Sequence, residues 1–142
     1  MTVRVDRTIE VNASPEDVWE FISDPAKRAQ AVSVVSDYEL KDEDGTAATW
    51  YVEIPIPFVN RTVSVHTEDT ERNPPHFVRF VGRSKAMRVE GEHTIEKTEN
   101  GAQLTNEFVV DGRLPGIEQY FVRNLDTELQ NLETELRAAL RQ

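Results

Sequence analysis

Apolar residues recur along this chain in two rhythms, and the change of rhythm divides it. From Thr2 to Val11, Val3, Val5, Ile9 and Val11 alternate with Arg4, Asp6, Thr8 and Glu10, as a half-buried strand requires. Arg7 interrupts the apolar phase. The period of two returns at Ala48, Trp50, Val52 and Ile54, and at Val63 and Val65 within the stretch Arg61 to Thr70. It returns again at Met87, Val89, Gly91, His93 and Ile95, and at Leu104, Asn106, Phe108 and Val110. From Leu114 to Arg141 the rhythm becomes helical, because Ile117, Phe121, Leu125, Leu129, Leu132, Leu136 and Leu140 follow one another at steps of three or four. Pro115 is tolerated in a first turn and nothing later breaks the pattern, so the helix could be roughly 40 Å long at 1.5 Å per residue.

The residues between these runs set the connections. Ser14-Pro15-Glu16-Asp17 reads as a helix start, with a serine N-cap, a first-turn proline and two carboxylates at the positive end of the dipole. Val18, Phe21 and Ile22 supply the apolar face, and Asp24-Pro25 ends this short helix and caps another, Pro25 to about Ala31. β-branched residues return from Val32 to Leu40, followed by a charged hairpin turn, Lys41 to Gly45. Ile54-Pro55-Ile56-Pro57-Phe58 is excluded from a central strand by its prolines and reads as a loop or edge exposing apolar surface. Asn73-Pro74-Pro75 and Ser84-Lys85 read as turns, and Phe77 to Val81 between them is apolar on both sides. Asn100-Gly101 is a strong hairpin signal, and Asp111-Gly112 releases the chain into the last helix. The predicted order is one strand, two short helices, about six antiparallel strands in a meander and one long helix. A sheet of about seven strands, ~4.8 Å apart, is on the order of 30 Å wide, so one such helix covers its face. The expectation is an α+β fold, a sheet closed around its C-terminal helix, as one domain over residues 1–142.

Composition narrows the function. Apolar residues make up 38% of the chain, and no run approaches the ~18 that a membrane span needs. Met1 to Glu10 already alternates charged and apolar residues rather than forming a signal peptide's apolar core, so a cytoplasmic protein is expected. With no cysteine, disulfides, thiolate catalysis and cysteine-ligated metal are excluded. Twenty-six acidic residues against 16 basic ones give a net charge of −10, with only four lysines beside twelve arginines. Nucleic acid is an unsuitable partner for such a surface. The acidity reads either as solubility or as adaptation to high salt, where screening relieves self-repulsion.

Ser14-Pro15-Glu16-Asp17-Val18-Trp19-Glu20-Phe21-Ile22-Ser23-Asp24-Pro25 resembles the first helix of the START-like, helix-grip superfamily, also called SRPBCC, which includes the birch-pollen-allergen relatives and the polyketide cyclase/dehydrase family. The order of elements and the terminal helix extend that resemblance over nearly the whole chain. Within the superfamily, Asp37 to Leu125 is loosely similar to the group of accessory proteins of carbon monoxide dehydrogenase. The tryptophan-rich segment that follows the second short helix in many relatives has no counterpart, since Ala29 to Ser36 holds no aromatic residue. The resemblance implies a curved sheet gripping the long helix, with an elongated apolar cavity between them for lipids, quinones, isoprenoids or polyketides. A curved sheet also cannot touch a straight helix along its whole length. The N-terminal half of the helix, with Ile117, Tyr120 and Phe121, is expected to face the gap, and the leucines from Leu125 to Leu140 are expected to form the packed anchor.

If the apolar phase of each strand points inward, the informative residues are the polar ones in that phase: Arg7, Arg61, Arg79, His93 and Asn106. Each needs a partner or a ligand. His93 reads as a hydrogen-bonded core histidine, a ligand contact or a general acid–base; Arg61 and Arg79 read as anchors for a carboxylate or ketone, or as ion pairs with neighbouring acids. Trp50, Trp19, Phe108, Tyr120 and Phe121 read as a stacking wall or as plain core, with Trp19 assigned to packing. The histidines at 66, 76 and 93 show no metal-ligand spacing, and no metal or cofactor is expected. Three functions follow. The first is binding or transport of a hydrophobic small molecule through Trp50, Arg61, Arg79, His93, Asn106, Phe108, Ile117, Tyr120 and Phe121. The second is a cyclase or aromatase in which Arg79, His93 or Asn106 polarises a carbonyl or moves a proton. The third is an accessory component of a larger enzyme that docks a protein partner through Ile54 to Val59, and a homodimer also remains open.

Overall fold

The computed structural model describes residues 2–32, 35–41, 46–53, 63–113 and 116–141. The elements run β1 (Thr2–Val11), α1 (Pro15–Ile22), α2 (Pro25–Ala31), β2 (Val35–Leu40), β3 (Ala47–Val52), β4 (Val63–Asn73), β5 (Phe77–Arg83), β6 (Met87–Thr98), β7 (Gly101–Gly112) and α3 (Ile117–Ala139). The strands form one antiparallel sheet in the order β1-β7-β6-β5-β4-β3-β2, so β2 to β7 are a meander and β1 closes its far edge. Register shifts at Val35/Asp37 and Asp69/Glu71 mark irregularities that bend the strands and help to curve the sheet. The result is the helix-grip architecture that the alternation and the terminal helix predict.

The local chemistry explains the elements. Ser14 Oγ accepts from the Asp17 N–H at 3.2 Å and Asp24 Oδ1 from the Ala26 N–H at 2.9 Å, so each short helix begins on a side-chain cap followed by proline. Val18 and Ile22 are fully buried. Pro15–Ile22 packs on β6 and β7 and Pro25–Ala31 on β2 and β3, and both touch α3. The long helix starts later than the sequence suggests, with Gly116 at φ +92 as its N-cap, a left-handed conformation that glycine adopts without strain. Its 23 residues span about 35 Å, across β1 and β7.

Residues paired across neighbouring strands share a face, and the register therefore sorts the sheet. Met87, Val89, Gly91, His93 and Ile95 of β6 and Ala102, Leu104, Asn106, Phe108 and Val110 of β7 are all buried, with their polar neighbours turned outward. On β5 the inner residues are Val78 and Phe80, opposite His93 and Gly91. Phe80 packs directly over Gly91, where any Cβ would collide with its ring. Phe80 and Val81 are both buried, so this strand is covered on both sides as its composition suggests.

Candidate functional site

The gap between α3 and the sheet is largely closed. A cavity of about 40 Å³ remains, walled by Trp50, Val65, Phe80, Val89, Phe108 and other hydrophobic residues of β2 to β7, and by Phe121, Leu125 and Glu128 of α3. At roughly 10–15 Å³ per water it has room for a few waters at most, far below the 300–1,000 Å³ typical of ligand pockets. The elongated cavity expected from the family resemblance is therefore not present in this conformation. The bulky side chains of the grip fill it. Larger depressions exist on the outside, such as a groove of about 480 Å³ beside Glu10, Glu99 and Arg137, but their walls are polar and they lie away from the grip.

Beside the cavity, the interior holds two polar clusters. His93 and Asn106 face each other across β6 and β7, both fully buried, with His93 Nδ1 2.7 Å from Asn106 Oδ1. In this arrangement Nδ1–H donates and Nε2 carries the free lone pair of a neutral ring. Burial, and secondarily the nearby Arg28 cation, pull the imidazole down to about 3, against the hydrogen bond to Asn106. The second cluster is charged. Arg28 of α2 is 4% exposed and donates from Nη2 to Asp69 Oδ1 at 2.5 Å and from Nη1 to the Ile22 carbonyl at 3.2 Å. Arg72 bonds the other Asp69 oxygen and the Ser23 carbonyl while covering the Trp19 ring. Burial lowers the Arg28 pKa, and the charge and hydrogen bond of Asp69 oppose it. This cluster ties the α1–α2 junction to β4.

The structure brings some of the sequence candidates together and separates others. Trp50, Phe108 and Phe121 line the cavity. His93 and Asn106 do not; they stand beside it, His93 with its ring centroid 5.9 Å from Phe80 and 5.8 Å from Phe108. Arg79 is on the other face altogether, opposite Glu92 in register, and pairs with Glu90 at 3.2 Å and Glu92 at 3.5 Å. Its phase is that of Phe77 and Val81, so the assignment of Arg79 to the interior is corrected. Arg7 reaches inward to α3, where its Nε donates to Glu133 at 2.9 Å. Tyr120 packs edge-on against Phe121 at 5.1 Å and is half-buried without lining the cavity. Its phenol is pushed up by burial and by the charge of Glu128. Arg61, the side chain of Ile117 and the segment 54–59 lie outside the described residues.

Three buried polar residues escaped the sequence reading, and two of them had a signal. Asp69 shares the inward phase of Val63 and Val65. Glu128 falls three residues after Leu125 and four before Leu132, on the same stripe, and is 2% exposed. Arg28 follows the capped start of α2 by one turn, with no comparable warning. Among the described residues, no group of three or more histidines or carboxylates gathers as a metal site.

Solved structures with this architecture include an aromatase/cyclase, Zhui, from Streptomyces sp. R1128, at TM-score 0.76 and 14% identity over 99% of this chain and 95% of that one. A conserved protein from Geobacillus kaustophilus matches at TM-score 0.74 and 19% identity, over 96% and 93% of the two chains. A START superfamily protein from Mycobacterium smegmatis matches at 0.73 and 18%, over 95% and 94%. At these identities the likeness establishes the fold. Among curated proteins none is significantly similar in sequence. The family model described as polyketide cyclase / dehydrase and lipid transport matches residues 2–137, and with the grip, its aromatic lining and its capped short helices in place, the chain belongs to that family.

Proposed function

We propose that this protein binds a small hydrophobic molecule between its sheet and the N-terminal half of α3. The observation that carries the reading is the chemistry of the cavity wall: among the described residues, every one lining it is hydrophobic except Glu128. Such a surface favours apolar groups over water at about 25 cal/mol per Å² covered. Because the cavity holds about 40 Å³, any ligand larger than a few atoms enters by displacing side chains of the grip. Binding therefore comes with expansion. Native mass spectrometry of protein from its source should detect a retained apolar compound. In solution, adding one should shift NMR signals of Phe121 and Leu125 and leave Leu136 unmoved. A protein that stays empty and unshifted in the presence of saturating apolar probes is not a carrier.

A second reading, catalysis of the cyclase or aromatase type, draws on the neutral His93 imidazole with its free Nε2. Its support is weaker, because His93 and Asn106 are separated from the cavity by Phe80 and Phe108. Cyclisation that survives His93→Ala combined with Asn106→Ala removes both residues from any such mechanism.

A further inference from the structure

Among the described residues, five buried side-chain atoms lack a hydrogen-bond partner: Arg28 Nε, Trp50 Nε1, Arg88 Nε, His93 Nε2 and Asn106 Nδ2. Folded proteins leave few such atoms, since each has given up water for nothing, and each needs an explanation. Four of the five belong to one neighbourhood. The Phe80 ring lies 5.7 Å from Trp50 and 5.9 Å from His93, the Arg28 guanidinium sits 5.0 Å from its centroid, and Asn106 is bonded to His93. Of these four, only Trp50 lines the cavity. It is 6% exposed, and its ring packs against that of Phe80.

An indole N–H can only donate. We propose that Trp50 Nε1–H is the recognition group of this cavity and that the ligand is a compact, uncharged molecule carrying an oxygen acceptor, such as a ketone or ester carbonyl. This rests on the hydrophobic-ligand reading above and adds the polar half of the specificity. The lack of charge follows from the wall. Among the described residues no arginine, lysine or histidine lines the cavity, whereas Glu128 does, so a ligand carboxylate would be buried beside another and without a cation. A purely apolar molecule fits the wall but leaves Nε1 unpaired.

The test compares 1-indanone with indane, which share a skeleton and differ by the carbonyl. Affinities for both, by calorimetry or NMR titration, are measured with the full chain and with Trp50→Phe, which keeps an aromatic ring and removes the donor. Indanone should bind on the order of ten-fold more tightly than indane to the native protein, and Trp50→Phe should erase that preference while indane affinity stays within about two-fold. Benzoate should bind more weakly than either. The chain has two tryptophans, so the Trp50 indole proton is readily assigned, and it should move downfield with indanone and not with indane. That signal decides the question even if the variant fails to fold. Indanone and indane binding equally, or an indole proton that ignores the carbonyl, overturns the Trp50 assignment and leaves the cavity reading standing. If neither compound binds at millimolar concentration, the cavity reading falls and takes this inference with it.

Discussion

The two halves of α3 carry one continuous apolar stripe but meet different surroundings. Leu125 and Leu132 are each 2% exposed, yet Leu125 borders a cavity and Leu132 does not. Burial alone therefore fails to distinguish the binding end of the grip from the anchoring end. Contact with a void distinguishes them. The sequence places the boundary between Phe121 and Leu125, on the bulk of the side chains, and the structure moves it about one turn later, after Glu128. Beyond it, Leu129 and Leu136 are fully buried and bordered by an ion-paired cluster on Glu133.

The same truncation on either side of the boundary should break or confirm this division. A leucine facing a void already lacks packing partners on that side, so less is lost when it is cut back. Leu132→Ala should cost about 4 kcal/mol and Leu125→Ala about 2 kcal/mol, the upper and lower parts of the usual range for buried leucines. Urea unfolding reads both. Leu125→Ala should also enlarge the cavity and tighten indane binding several-fold, with Leu132→Ala leaving it unchanged. Equal costs and equal affinities would mean that α3 is one uniform anchor.

His93 probes the layer between the two ends. Its folded pKa is about 3, against about 6.5 in the unfolded chain, so below pH 6.5 the unfolded state binds the extra proton. The contribution is complete above pH 6.5 and falls as pH drops toward 3. At pH 5 the wild type should have lost about 2 kcal/mol through this group alone. Unfolding free energies at pH 7.5 and 5.0, compared with those of His93→Gln, isolate the effect. A wild type and variant that lose stability in parallel would show that the imidazole is not held neutral by burial.

Much of the fold is legible in the sequence because it depends on period and punctuation. The alternation through β6 and β7 and the capped starts at Ser14 and Asp24 depend on residues close together in the chain, and all are found as expected. The site was less legible, for reasons specific to each residue. The phase of Arg79 is ambiguous because β5 is apolar on both sides, and only the register against Glu92 decides it. Glu128 is hidden because a charged residue is assumed to point outward, although its spacing places it on the stripe. The size of the cavity is a property of how the rings of Trp50, Phe80 and Phe108 settle against one another, which no periodicity encodes. The high-salt reading of the charge of −10 is likewise a property of the surface as a whole, and it requires melting temperature to rise steeply with KCl.

The smallest expected effect belongs to the anchoring end. Glu133 Oε1 accepts from Arg7 Nε at 2.9 Å and Oε2 from Arg137 Nε at 3.0 Å, while Arg137 Nη2 also donates to the Glu10 carbonyl at 3.1 Å. Burial pushes the Glu133 carboxyl up, but the hydrogen bonds and charges of the two arginines outweigh it, and the net shift is downward from 4.5. A carboxylate with a depressed folded pKa stabilises above its unfolded value, and the gain is lost as pH falls through the folded one. Both arginines are about one-third exposed, so solvent screening limits the gain to a few tenths of a kcal/mol. Thermal melts of wild type and Glu133→Gln should differ by about 1–2 °C at pH 6, and the difference should close below pH 4.5. Indane affinity should stay the same throughout, because the cluster lies beyond the boundary after Glu128. A gap that persists at pH 3 would assign Glu133 a packing role, and a change in affinity would place the anchoring end within reach of the ligand.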